Sequence, residues 1–184
     1  MLQSVLKSDG RFGVVRWDPI AKKMADVGCC AEVIKHQTSK DGRSNIVTLG
    51  QQRFRILEII SETPFLNALV SWIDDDPISD QEKLEQLRHS VSTALRDVVS
   101  LTSKLTDSEK ILPEPLPEIP RELSFWIAAH LGGPVANEQQ SLLELTNTYN
   151  RLEREYELLD HTRRQLAART ALKDTFSNAD QRNN

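Results

Sequence analysis

Up to residue 73 the apolar side chains come in short clusters that alternate with charged ones, and from Leu84 onward they recur every three or four positions. The first rhythm is that of half-buried strands, the second that of amphipathic helices. Leu2, Val5 and Leu6 share one helical face that ends at Asp9-Gly10. Phe12 to Val15 reads as a short buried strand. Val27 to Gln37 and Asn45 to Leu49 read as two more, joined through the hairpin signal Asp41-Gly42. After Gly50, which supplies a bulge or a tight turn into the strand, Arg53 to Ile60 forms another alternating run, broken at Pro64. Phe65 to Ile73 is the next, ended by Asp74-Asp75-Asp76-Pro77. Five or six short antiparallel strands with little room for helices predict a closed or partly closed barrel.

Asp80 is a good N-cap for the helix that follows. Its apolar face runs through Leu84, Leu87, Val91, Leu95, Val98, Leu101 and Leu105. Pro113, Pro115, Pro117 and Pro120 make residues 107–120 an extended connector. A short apolar helix from Glu122 to Leu131 stops at Gly132, and Asn137 is expected to cap another. Leu145, Tyr149, Leu152, Tyr156, Leu159 and Leu166 keep a seven-residue rhythm, with Arg163 as its polar exception and Thr146-Asn147-Thr148 as a candidate interruption. The two leucine faces are expected to pack on each other as an antiparallel bundle. The class is therefore α+β, with a β-rich part over 1–79, a helical part over 80–174 and a frayed tail over 175–184.

Composition narrows the function. The chain has 184 residues, 39% hydrophobic and 27% charged, enough to bury a real core. Its net charge of −4 argues against a general nucleic-acid binder, which needs clustered Lys and Arg. Residues 1–79 carry ten basic and ten acidic side chains, residues 80–184 thirteen and seventeen, so the acidic excess lies in the second half. The only cysteines, Cys29 and Cys30, are neighbours that point to opposite faces of a strand, which disfavours a disulfide and points to a reducing compartment. The N-terminus lacks the charged and apolar regions of a signal peptide. The least charged stretch, Leu123 to Asn137, is cut by Gly132-Gly133-Pro134 and is too short to span a bilayer.

Little in the chain carries reaction chemistry. His36, His89, His130 and His161 are scattered and form no metal-ligand spacing with the cysteines. Asp74-Asp75-Asp76 lacks the alternating ligands and closing Glu of a calcium loop and reads as a solvated turn. No phosphate-binding loop and no catalytic set stands out, so neither a cofactor nor a metal is expected. Phe54 and Ile56 alternate with Arg53 and Arg55, which places the apolar pair in the core. The two arginines either pair locally with Glu58 and Glu62 or contact acidic client segments, and local pairing or solvation is favoured. Trp72 and Trp126 read as core. Trp17, in Arg16-Trp17-Asp18-Pro19, and Phe65-Leu66, just after Pro64, are the candidates for exposed apolar contacts.

Taken in order, DGRFGVV, VGCCAEVIK, the DGR turn, LGQQRFRI and PFLNALVSWIDDD resemble the N-terminal substrate-binding domain of Lon-type proteases. Gly50-x-x-Arg53-Phe54-Arg55-Ile56 is the most specific of these, and Gln140 to Glu144 followed by Asn150-Arg151-Leu152 resembles that family's helical portion. The resemblance covers about residues 5–170. It implies a PUA-like barrel followed by a helical bundle, without the ATPase and Ser-Lys protease modules. Members of the family open with two strands carrying a P-L-F-P-L run and an F-P-G turn. Neither is present, so the chain is expected to be shortened at its N-terminus, leaving strand edges and apolar surface unpaired.

The expected function is non-catalytic binding of unfolded or degron-bearing polypeptides, as an adaptor or regulator in proteolysis with a protease or chaperone as partner. Trp17, Phe65, Leu66, Arg53 and Arg55 are the candidate binding residues. The expected location is the bacterial cytoplasm or a plastid-stroma-like compartment. The alternative is an RNA-binding PUA-like module, against which the charge counts.

Overall fold

A computed structural model describes residues 1–132 and 136–182. Two compact units meet at the Asp75–Asp76 bond, four residues before the boundary expected from the pattern. The first unit holds α1 (Leu2–Leu6), β1 (Arg11–Asp18), β2 (Lys23–Thr38), β3 (Ser44–Ser61) and β4 (Asn67–Ile73). Its strands form one antiparallel sheet in the order β1-β2-β3-β4. The second holds α2 (Gln81–Thr106), α3 (Pro120–His130), α4 (Ala136–Glu144) and α5 (Thr148–Arg182). A sheet followed by helices is the α+β architecture that the sequence predicts.

Local chemistry sets the turns. The Gly10 N–H donates to Val5 O (3.1 Å) with φ +74°, which ends α1. The β2–β3 hairpin turns through Gly42 at φ +84°, with Ser39 N–H donating to Arg43 O (2.7 Å). In the β1–β2 turn the Asp18 carboxylate accepts from the N–H groups of Ile20 (2.8 Å) and Ala21 (2.9 Å), and these bonds lower its pKa.

The strand count differs from expectation. The runs 45–49 and 53–60 are one strand, because Gly50 does not end the pairing. Cys29 faces Arg53 while Ala31 faces Gly50, so β3 fits one extra residue as a bulge and continues. Further shifts fall between Val33 and Lys35, Ile56 and Glu58, and Ile59 and Ser61, and they bend two strands of 16 and 18 residues.

Phe54 is the centre of the sheet's concave face, and two glycines admit it. A Cβ on Gly28 would lie 2.5 Å from Val14 O and 2.7 Å from Phe54 Cζ; one on Gly13 would lie 2.9 Å from the same ring carbon. Trp72 meets Phe54 edge-on, with centroids 6.4 Å apart and planes at 85°. Trp72 is nevertheless 55% exposed, not core, because β4 is an outer strand with no neighbour beyond it among the described residues.

In the helical unit Asp80 caps α2 as expected, accepting from Lys83 N–H (3.0 Å). Leu84, Val91 and Leu95 of α2, Leu123 and Ile127 of α3, and Leu152 and Leu159 of α5 form its buried cluster. Leu116 of the connector is also buried there, which holds residues 107–119 against the helices. Trp126 is half-buried at the edge of this cluster and stacks on the His130 ring at 4.0 Å.

The long helices run parallel, not antiparallel. Lys83 lies over the Tyr149 ring (4.6 Å), Asp97 pairs with Arg163 (3.3 Å), and Asp107 pairs with Lys173 (2.7 Å). Partner numbers rise together along both helices, which only a parallel pair allows. The connector, α3 and α4 carry the chain back to its starting end, so the usual short-loop argument for antiparallel neighbours does not apply. Lys173 also donates to Lys104 O (3.1 Å) and Leu105 O (3.3 Å), closing the α2 C-terminus. Asn147 Oδ1 accepts from Asn150 N–H (3.0 Å) and starts α5 after the break expected at 146–148. Helical α4 is described from Ala136, one residue before the expected cap Asn137. Gly133-Pro134 of the expected break lies outside the described residues, as do Asn183 and Asn184 of the expected tail, whose earlier residues continue α5 through Arg182.

Two charged side chains near the start of α5 are fully buried. Arg151 is wholly buried, donates to Ser124 Oγ (2.8 Å) and Leu145 O (2.7 Å), and lies 4.0 Å from the centre of the Phe125 ring. Glu155, one turn on, is also wholly buried, and neither carboxyl oxygen has a hydrogen-bond partner. Burial pushes its pKa up to about 9, opposed in part by the Arg151 charge.

Gly28→Ala is expected to cost about 1–3 kcal/mol in urea unfolding, because a backbone oxygen and a buried ring must both give way. Gly50→Ala should cost less than about 0.5 kcal/mol, since its Cβ meets nothing closer than Cys29 Sγ at 3.8 Å. Equal costs would refute the close approach. Glu155 gives a pH signature. Between the usual carboxyl range near 4.5 and about 9, the folded state holds a proton that the unfolded state releases, so stability falls as pH rises. One proton corresponds to a slope of about 1.4 kcal/mol per pH unit. Glu155→Gln should remove that slope, so that between pH 6 and pH 8 the variant gains on the parent by up to about 3 kcal/mol. Parallel stability curves would mean that Glu155 is already ionised.

Candidate functional site

The coiled sheet leaves a concavity of about 340 Å³ on the Phe54 face. Its floor is Phe12, Gly13 and Val15 of β1 with Phe54 and Ile56 of β3; its wall is Ala68, Val70 and Trp72 of β4. Met1 and Val5 of the α1 segment and Phe65-Leu66 of the β3–β4 loop also line it. The period of two explains the set: Ala68, Val70 and Trp72 are alternate residues of one strand, as are Phe54 and Ile56.

The polar lining is Arg11, Asn67 and Cys30, with no carboxylate. Arg11 pairs with Glu32 (3.2 Å), and Asn67 donates to Ser61 Oγ (2.9 Å). Burial raises the pKa of the Cys30 and Cys29 thiols, which keeps them protonated and weakly nucleophilic at neutral pH. Among the described residues no cluster of three or more His, Cys, Asp or Glu could hold a metal. The trough can therefore exclude water from apolar groups, but it holds no acid, base or nucleophile suited to catalysis.

Beside it lies β4, Asn67-Ala-Leu-Val-Ser-Trp-Ile73, which has no strand beyond it among the described residues and carries neither a charge nor a proline. Soluble proteins protect such edges with Lys, Pro or a bulge. An uncharged outer strand next to an apolar trough can accept an extended segment: the backbone pairs with the edge, and alternate side chains enter the trough.

The candidate residues are distributed unevenly. Phe65, half-buried, and Leu66, exposed, line the trough. Trp17 is 59% exposed near the end of β1 and does not line it. Arg55 is exposed on β3, outside the trough. Arg53 is not a surface residue at all. Its side chain is 4% exposed and ion-paired with Asp75, itself 7% exposed. Asp75 is thus the ion-pair partner in place of the expected Glu58 and Glu62. Of the aspartate run only the Asp75 side chain is withdrawn from solvent; Asp74 and Asp76 are exposed, as expected of a solvated turn, and accept from Gln52 Nε2 (3.1 Å) and Thr146 Oγ1 (2.9 Å). The pairing of Arg53 with Ile73 in the β3–β4 ladder brings Asp75 within reach, a tertiary relation that alternation does not contain. Trp72, Val70 and Ala68 were missed as site residues. The signal was present, in a seven-residue strand with no charge on either face.

The model of the ATP-dependent protease La (LON) substrate-binding domain matches residues 1–161. The chain is 30% identical over 146 residues to the Lon protease of Anaeromyxobacter dehalogenans, covering 79% of this chain and 17% of that protein. It is 27% identical over 169 residues to Lon protease 2 of Myxococcus xanthus, covering 89% and 20%. It spans no more than about a fifth of either relative's length. The fold is similar to the N-terminal domain of a Mycobacterium avium complex Lon protease, with a TM-score of 0.58 at 13% identity over 86% of this chain and 82% of that one. A Lon N-terminal domain protein from Xanthomonas campestris gives 0.55 at 19% identity, over 82% and 77%. Among the described residues no helix is long and apolar enough to cross a membrane. On these grounds the chain belongs to the family of ATP-dependent protease La (LON) substrate-binding domains.

Proposed function

We propose that this chain binds extended, unfolded polypeptide segments in the trough between β1, β3 and β4, as a non-catalytic adaptor or regulator of protein degradation in the cytoplasm. The observation that carries the reading is an apolar concavity beside an uncharged outer strand. The matched family, a substrate-binding domain of an ATP-dependent protease, supports it from a second direction. The segment would add to β4 by backbone hydrogen bonds, which read no sequence, while every second side chain is buried against Phe54, Val70 and Trp72. Such binding tolerates many clients, and it needs no nucleotide.

Fluorescence anisotropy of a labelled, permanently unfolded polypeptide tests this without ATP, with a folded protein and an RNA oligomer as controls. Saturable binding to the unfolded chain alone is expected. Trp72→Ala and Phe65→Ala should each weaken it about tenfold, the effect of losing an aromatic anchor of about 1–2 kcal/mol. Trp17→Ala, outside the trough, should leave it unchanged. Loss of affinity in Trp17→Ala with none in Trp72→Ala would move the site to the β1 end. Binding to RNA instead would overturn the reading.

A further inference from the structure

The β2–β3 hairpin outruns the sheet that carries it. The β1 ladder ends at Arg11–Glu32, and the β4 ladder begins at Arg53–Ile73. The last tie to the rest of the unit is Val33 N–H to Gly10 O (2.8 Å). From Ile34 to Leu49 the two strands pair only with each other. An isolated two-stranded ribbon is marginal in water and usually polar on both faces. This one exposes Ile34, Ile46, Val47 and Leu49, each between 38% and 54% accessible. Lys35 sits across from Val47, so a cation flanks the apolar residues of that face. The arm carries Lys35, Lys40 and Arg43 against one acid, Asp41, although the whole chain is net −4.

The same chain holds a surface of opposite character. Residues 107–120 carry Asp107, Glu109, Glu114 and Glu118 against Lys110 alone. Asp107 is paired with Lys173 and Glu114 with Arg96, but Glu109 and Glu118 are exposed and have no ion pair among the described residues. Ile111 and Ile119 project beside them at 80% and 55% exposure. Leu112 and Leu116 hold this segment to the helical core, so the acidic and apolar side chains are presented on a fixed backbone.

We propose that the chain self-associates, with the basic, apolar β2–β3 arm of one copy seated on the acidic, apolar connector of a second. Each copy offers both an arm and a connector, so a pair of copies can make the contact reciprocally. Charge attraction sets register and encounter, and burial of the isoleucines, Val47 and Leu49 supplies the affinity.

Sedimentation velocity of the full chain at rising concentration, in low and high salt, reads the association. A shift from monomer to dimer is expected, weakening with salt. Lys35→Glu/Lys40→Glu and Glu109→Lys/Glu118→Lys should each weaken dimerisation about tenfold or more, because like charges then face each other. All four positions are exposed, and circular dichroism melts should match the parent. Mixing the two double variants should restore a heterodimer, because a reversed arm then meets a reversed connector while the other contact keeps its native charges. A parent that stays monomeric at all concentrations, a dimer indifferent to both double variants, or a mixture that fails to recover would each overturn the proposal. This outcome is independent of polypeptide binding, which is read at the trough.

Discussion

Phe54 lies against the backbones of β1 and β2 only because Gly13 and Gly28 have no Cβ. The ring occupies the space two side chains would need, 2.7–2.9 Å from where their Cβ atoms would stand. Its burial draws β3 over the two strands before it, and the bulges along β2 and β3 let the long strands bend to follow. The trough is the remainder of that curvature. Its floor is the Phe54 face, and its wall is the next strand, whose Trp72 meets the ring edge-on. The feature that makes the site thus also fixes the sheet, which is why binding is best probed at Trp72 and Phe65, on the rim, and not at Phe54.

In the helical unit two solutions to burying polarity stand one turn apart. Arg151 is satisfied: its guanidinium reaches a hydroxyl and a carbonyl and covers an aromatic ring. Glu155 has no such partners, and its way out is to stay protonated. The broad buried arc of α5 produces both. Packing against α2 alone would bury a narrow leucine stripe; contact with α3 as well extends the arc to the positions on its flank. The parallel course of α2 and α5 follows from the same arrangement, because intervening helices and a proline-held connector return the chain to the starting end.

Elements whose cause is local were legible in the sequence. Asp80 as a cap, Asp41-Gly42 as a hairpin, Gly10 as a helix stop and the proline connector each depend on a few neighbouring residues. The order of the weak motifs was enough for the family. What depends on distant partners was not legible. Alternation put Arg53 on a wet face, but its side chain is buried and paired with Asp75, which follows the end of β4. Alternation also gave Trp72 a face toward Phe54, as the ring contact bears out, without revealing that β4 has no neighbour beyond it among the described residues. Helix direction was misread because a heptad stripe is symmetric with respect to parallel and antiparallel pairing. Of the five candidate site residues, the two adjoining β4 line the trough, and the arginines do not.

An apolar surface left open is a liability unless something about it limits what can bind. Here the two open features differ in chemistry. The trough's charged liner, Arg11, is paired with Glu32, and the β4 strand carries no charge, so the two would suit segments recognised through backbone and bulk. The arm is apolar but flanked by lysines, and charge restricts it to acidic company. The two proposed contacts would therefore not compete, because a segment that fills the trough need offer nothing that the arm attracts.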